Sequence, residues 1–244
     1  MAEANDVLLR LTDVYTDIGR YQILHGVNLT VRRGRVTMLL GRNGVGKTTT
    51  LRTIMGLWKA RKGEIVFDGQ SIVGKATPDI AQLGIAYVPE NMGIFGKLTV
   101  RENLLLATGP KGFAQERLDR VFDCFPALKL KWDAAAGLLS GGQKQMLAIG
   151  RAIMEQRRLL VVDEPTKGLS PAVVEHFIAA LLALKSEQTT LLLVEQNFRV
   201  AQVMGDEVAV MDQGRIIHTG SMSELDKDQA LQQRLLGLSL GVGA

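Results

Sequence analysis
Hydrophobic and polar positions change their period several times along these 244 residues, and each change marks an element. Residues 7–14 alternate well enough for a strand, and 24–31 follow as a second. The turn Arg32-Arg33-Gly34-Arg35 leads to Val36–Leu40, a continuous apolar run of the kind buried on both faces of a parallel sheet. Leu51, Ile54 and Met55 then fall at helical spacing within 49–57. Residues 63–69 hold a short strand that ends in a turn, and Ile85–Val88 is a strand stopped by Pro89. From Thr99 to about Pro126 the pattern is helical, through Val100, Leu104, Leu105, Leu118, Val121 and Phe122. A further helix begins at Gly141 and carries Met146, Leu147, Ile149 and Ile153. Strands return at 159–162 and 190–194, on either side of an amphipathic helix over 171–185 that buries Phe177, Ile178, Leu181 and Leu182. Residues 208–211 and 215–218 close as a hairpin about Asp212-Gln213-Gly214.

This order makes one α/β unit over 1–244 economical, with a mainly parallel core at about 1–90 and 155–244 and a helical insert at about 91–154. Composition narrows the classes. No stretch approaches the ~20 apolar residues that cross a bilayer, and the acidic start lacks the apolar core of a secretion signal. The single cysteine, Cys124, fits a reducing compartment. Net charge is +4, and the basic pairs Arg32-Arg33, Arg61-Lys62 and Arg157-Arg158 are expected beside turns as solvated charges. With 5% aromatics there is little to stack bases, so no nucleic-acid partner is expected.

The chemistry concentrates in three runs. Residues 41–48, Gly-Arg-Asn-Gly-Val-Gly-Lys-Thr, fit G-x-x-x-x-G-K-[ST] between a strand and a helix, as a phosphate-binding loop requires. Gly41, Arg42, Asn43, Gly44, Val45, Gly46, Lys47, Thr48 and Thr49 are the candidate nucleotide contacts. Gly44 and Gly46 free backbone N–H groups to face phosphate oxygens, and the helix behind adds partial positive charge. Lys47 reaches the β and γ phosphates, while the Thr48 hydroxyl is placed to hold Mg²⁺. Asp163-Glu164 ends a buried strand run: Asp163 is a second Mg²⁺ ligand, and Glu164 accepts the proton of the attacking water. Ser140, Gly141, Gly142 and Gln143 at a helix start form a second anion site. One chain seldom needs two clamps for one nucleotide. The second is therefore expected to serve the γ-phosphate of a neighbouring chain, with two chains sandwiching two ATP molecules.

With Walker A at 41–48, a signature at 139–143, Walker B at 159–164 and the final hairpin in that order, the chain resembles the ATP-binding subunits of ABC transporters over nearly its whole length. The resemblance implies a P-loop NTPase (RecA-like) core with an antiparallel β subdomain and a helical insert, and ATP and Mg²⁺ as cofactors. It also implies a homodimer, or a heterodimer with a related ATPase subunit, on the cytoplasmic face of the inner membrane. Two transmembrane permease subunits and, indirectly, an extracytoplasmic solute-binding protein would be the partners.

Three departures from the common pattern resemble one branch. Glu90 replaces the usual Q-loop Gln, which implies Glu90 as a further metal-site residue; Ser170 replaces the D-loop Asp; Gln196 stands at the switch-histidine position. This is the pattern of the second ATPase subunit of branched-chain amino acid importers and of the similar urea importers. A urea or short-chain amide importer ATPase is one alternative, and a soluble non-transport ABC ATPase another. Gln196 donates a hydrogen bond without titrating and joins Glu164 and Lys47 as an expected catalytic residue, whereas His25, His176 and His218 are expected outside the crevice. Ile18 aligns with the aromatic that stacks on adenine; Tyr15 or Tyr21 is the alternative base contact. Ile94, Phe95 and Leu98 serve either as a permease contact or as local packing of the insert.

Overall fold
The computed structural model of the chain describes residues 6–108, 112–186 and 189–237. Strands β1 (Val7–Ile18) and β2 (Tyr21–Arg32) pair, β3 (Val36–Leu40) leads into α1 (Lys47–Ile54), and β4 (Ala60–Phe67) returns beside β1 with β5 (Gln70–Ser71) on its outer side. After α2 (Thr77–Gln82) and β6 (Ile85–Val88) come α3 (Val100–Leu105), α4 (Gln115–Cys124), α5 (Pro126–Leu130), a 3-10 turn at Ala136–Leu138 and α6 (Gly141–Ile153). Then follow β7 (Leu159–Asp163), α7 (Pro171–Ser186), β8 (Thr190–Glu195) and α8 (Phe198–Met204). The hairpin β9 (Glu207–Asp212) and β10 (Arg215–Ser221), α9 (Met222–Lys227) and α10 (Gln229–Leu236) complete the described chain.

Two sheets form among the described residues. One is antiparallel, in the order β2-β1-β4-β5; the other runs β10-β9-β3-β8-β7-β6, parallel except for β10 at its edge. In the parallel sheet β3, β7 and β8 are buried along their whole length, which is why their sequences read as unbroken runs rather than as alternation. Their side chains split between two cores. Met38, Leu160 and Leu193 face the side packed by α6, α7 and α8, while Leu39, Val161 and Leu192 face the antiparallel sheet and α1. The helical segment joins the first core through Leu147 and through Leu104, Val121 and Leu128, the last three gathered about Gly150, where an added Cβ would lie 3.1 Å from Val121.

Several elements differ from the sequence pattern, each for a local reason. β1 continues to Ile18 although alternation fails after Val14, because Asp13 adopts φ +50° and the register shifts there. α1 starts at Lys47 and stops at Ile54, bracketed by Gly46 at φ +113° and Gly56 at φ +68°. The helical stretch 99–126 divides into α3 and α4, and 109–111 within it lies outside the described residues. Arg61 and Lys62 sit inside β4 rather than beside a turn, paired with Asp17 and Asp13 at 2.9 Å each. Arg158 and Arg33 share Asp68, and Arg32 meets Glu207.

Candidate functional site
The parallel strands deliver the candidate residues to a single edge. The C-terminal ends of β3, β8, β7 and β6, consecutive in the sheet, lead to the phosphate loop, to Glu195-Gln196, to Asp163-Glu164 and to Glu90. Ligands of open α/β sheets bind outside this edge.

The loop after β3 is braced from outside. The β9–β10 turn places Gln213 at φ +43° and Gly214 at φ +74°, the left-handed pair of a tight hairpin. Gly214 N–H donates to Val45 O (2.8 Å), and its carbonyl accepts from His25 N–H (2.9 Å), so the turn wedges between β2 and the loop. A Cβ on Gly214 would come within 2.1 Å of Ile23 O, and one on Gly41 within 2.3 Å of Met211 O, so neither position has room for a side chain. Gly44 is exposed, and nothing lies within 4 Å of a Cβ built there. Lys47 is buried and folds back, its Nζ donating to Gly41 O (2.8 Å) and Arg42 O (2.9 Å); burial pulls its ammonium pKa down. The first turn of α1 carries no acidic residue and has no side-chain cap, so neither competes with an anion for its N–H donors.

Opposite the lysine stand the two acids. Asp163 is fully buried; Oδ1 accepts from Thr48 Oγ1 (3.2 Å) and Oδ2 from the Tyr87 hydroxyl (3.4 Å). Burial holds its carboxyl above the usual carboxylate range, and burial together with the Asp163 charge pushes Tyr87 up to about 12. Glu164 occupies the left-handed region at φ +49°, with its N–H bonded to Val194 O (2.9 Å). Its Oε1 accepts from Gln196 Nε2 at 2.5 Å and lies 3.8 Å from Lys47 Nζ; its Oε2 lies 3.2 Å from Lys167 Nζ. Strain of this kind persists only where the surroundings over-determine the backbone, and such positions cluster at active sites. Lys167 also pairs with Glu90 Oε1 (2.6 Å), so Glu90 reaches the cluster through a lysine that the motifs did not single out.

Other candidates lie elsewhere. Thr49 is engaged within α1, its carbonyl accepting from Thr53 Oγ1 (2.8 Å), while Arg42 and Asn43 are exposed. Thr16 meets Thr53 of α1 through their hydroxyls at 3.1 Å, but Tyr15 belongs to the opposite alternation, its ring under Lys62 (5.1 Å) and Arg61 (5.8 Å), away from the phosphate loop's helix. Ile18 lies half-buried at the end of the β1–β2 pairing, across from the exposed Tyr21. His25 is in β2 and bonded to Gln22, His176 is on the exposed side of α7, and His218 is in β10; none joins the cluster. Ser140 and Gln143 close a capping box on their own helix, Ser140 Oγ accepting from Gln143 N–H (3.3 Å) and Gln143 Oε1 from Ser140 N–H (3.0 Å). Gly141 is exposed with open space around it. Gly142 is buried, and a Cβ there would press Val173 of α7 at 2.8 Å. Gly142 is thus also a packing residue, a duty its place in the motif did not reveal.

A phosphate loop, a buried aspartate and a strained glutamate at the carboxyl edge of a parallel sheet define a P-loop NTPase. The model of the ABC transporter family matches residues 24–167, and the chain belongs to that family. With membership comes its activity: ATP binding and hydrolysis by a transporter subunit. The chain is 37% identical to the high-affinity branched-chain amino acid transport ATP-binding protein BraG of Pseudomonas aeruginosa, over 94% of this chain and 100% of that one. It is 33% identical to the probable branched-chain amino acid transport ATP-binding protein LivF of Archaeoglobus fulgidus, over 95% and 99%. Among solved structures, a nucleotide-free ATP-binding cassette from an ABC transporter shares the fold with a TM-score of 0.80 at 27% identity, over 96% of this chain and 99% of that one.

Proposed function
We propose that the chain is the ATP-hydrolysing subunit of an importer for branched-chain amino acids. It works in a pair with a second copy or a related ATPase, beneath two transmembrane permease subunits at the inner membrane, and an extracytoplasmic binding protein supplies the cargo. The carrying observation is the division of anion donors. The phosphate loop and the acids share one strand edge, while Ser140 and Gly141 lie exposed at a separate helix start, where Ser140 is bonded to Gln143 of its own helix.

In this reading Lys47 exchanges its two carbonyl partners for the β and γ phosphates of ATP. Thr48 Oγ1 and Asp163 Oδ1 fit Mg²⁺, being paired hard oxygens at 3.2 Å, one on a desolvated carboxyl that a cation would favour. Among the described residues no cluster of three His, Cys, Asp or Glu could hold a metal by itself, consistent with an ion bound mostly by phosphate and water. When bound, Mg²⁺ neutralises charge on the phosphate oxygens. Glu164 takes the proton of the attacking water, and Gln196, already on Oε1, orients the carboxylate. Glu90 reaches the metal's surroundings once Lys167 releases it.

Among the described residues no helix is long and apolar enough to cross a membrane. Of the three candidate contacts, Ile94 packs into the core, whereas Phe95 is 49% exposed under the Arg151 guanidinium (5.0 Å), beside a groove lined by Leu57, Trp58 and Met92. Phe95→Asp is expected to lower transport at least several-fold while leaving ATP turnover of the isolated chain unchanged; equal transport by the variant would remove Phe95 from the interface. The cargo is tested by uptake. A strain lacking this chain should lose high-affinity uptake of radiolabelled leucine, regained with the parent chain and not with Lys47→Ala. Undiminished leucine uptake with lost urea uptake would assign the amide importer instead.

A further inference from the structure
Glu195 is a buried carboxylate, 2% exposed, that the proposed hydrolytic steps leave unused. It ends β8, the strand between β3 and β7, after the apolar run Leu191-Leu-Leu-Val194. A buried carboxylate is costly unless it is well bonded, and an apolar residue would continue the run at no such cost. Its bonds are specific. Oε1 accepts from Thr166 N–H (3.2 Å) and Thr166 Oγ1 (2.8 Å), and Oε2 accepts from Gln196 N–H (3.3 Å). Thr166 lies two residues beyond Glu164, and Gln196 is the residue whose side chain holds Glu164 Oε1.

We propose that Glu195 is a positioning residue for hydrolysis: its carboxylate ties the loop after Glu164 to the loop carrying Gln196 and so holds the left-handed backbone of Glu164 in register with the phosphate loop. The inference rests on the reading of Glu164 as the base. Two ties flank Glu164, the β-type bond from its N–H to Val194 O and the Thr166–Glu195 pair two residues on. Together they hold a positive-φ backbone that is uncommon for a non-glycine residue. Without the carboxylate, Glu164 relaxes and its side chain leaves the line of attack, while the phosphate loop is untouched. The defect therefore falls on kcat, not on nucleotide binding.

The test compares Glu195→Gln, Thr166→Val and their combination with the parent, reading kcat, KM for ATP and melting temperature. Gln keeps the shape of Glu but turns an NH₂ group toward one of the backbone donors, so one tie is lost. Thr166→Val removes a single hydroxyl and leaves the buried acid in place, which keeps the test open should the Gln variant fold poorly. The expected result is a kcat lower by roughly tenfold in Glu195→Gln, less in Thr166→Val, no worse in the double variant, and KM within about twofold throughout. A parental kcat in both single variants would overturn the inference. So would losses of kcat and KM that merely follow a falling melting temperature. Glu164→Gln measured alongside separates the two claims. If that variant keeps its turnover, the base assignment fails and the inference falls with it; if it is inactive while Glu195→Gln and Thr166→Val are both parental, only the inference falls.

Discussion

Replacing Glu164 with Gln should cut steady-state ATP turnover by about 10²-fold or more, within the 10²–10⁴ range a positioned general base supplies. The substitution is isosteric, and it leaves Lys47, Thr48 and Asp163 as they are. The carboxamide still offers an oxygen to Gln196 Nε2, so the Gln196 contact survives. What disappears is the ability to take a proton from water. Removing a negative charge 3.8 Å from Lys47 Nζ also leaves that lysine freer for phosphate, so ATP should bind at least as tightly as to the parent. Phosphate release and the binding of a fluorescent ATP analogue report the two effects separately. Turnover within a few-fold of the parent would remove Glu164 from the role.

The second large effect is expected at Gly141. In a single chain Gly141→Asp should be benign: the position is exposed, nothing lies within 4 Å of an added Cβ, and a carboxylate in the first turn of α6 suits the helix dipole. Across an ATP-bound pair the same carboxylate would face a γ-phosphate. Like charges about 4 Å apart at an effective dielectric near 20 repel by about 4 kcal/mol, enough to suppress association by hundreds-fold. A variant with a parental melting temperature but no ATP-driven pairing and little turnover is therefore the expected outcome. Parental turnover would mean that the signature helix does not complete the site. Gly142 is unsuited to this experiment, because its Cβ would clash with Val173 and disturb packing at once.

How far the site was legible depends on distance along the chain. The phosphate loop could be read because its chemistry lies within eight consecutive residues that follow a buried strand. Asp163 and Glu164 could be read because an apolar run ends in acids. The brace on the loop could not, since the Gly214–Val45 bond joins residues far apart in sequence and depends on how β9–β10 folds over. The Thr166–Glu195 tie was hidden for the same reason, although an acid closing the apolar run of β8 was a visible sign. Lys167 carried a fainter one, three residues after Glu164. β1 was read short because the bulge at Asp13 breaks alternation without ending the strand. α9 and α10 escaped a reading based on apolar period alone, although Ser221 and Glu224 form a capping box and Asp228 caps α10. Tyr15, an alternative to Ile18 as the adenine contact, has its ring under the cations of β4, a pairing that alternation along a strand cannot reveal.

The claim that a second chain finishes the nucleotide site is open to one direct measurement, the sedimentation of Glu164→Gln with saturating ATP and Mg²⁺. Slow hydrolysis should trap the closed pair, so the expected species has twice the mass of one chain, reverts to one chain with ADP, and does not form when Gly141→Asp is added. A Glu164→Gln protein that binds ATP yet sediments as a single chain, alone and when mixed with a related ATPase subunit, would contradict the shared site.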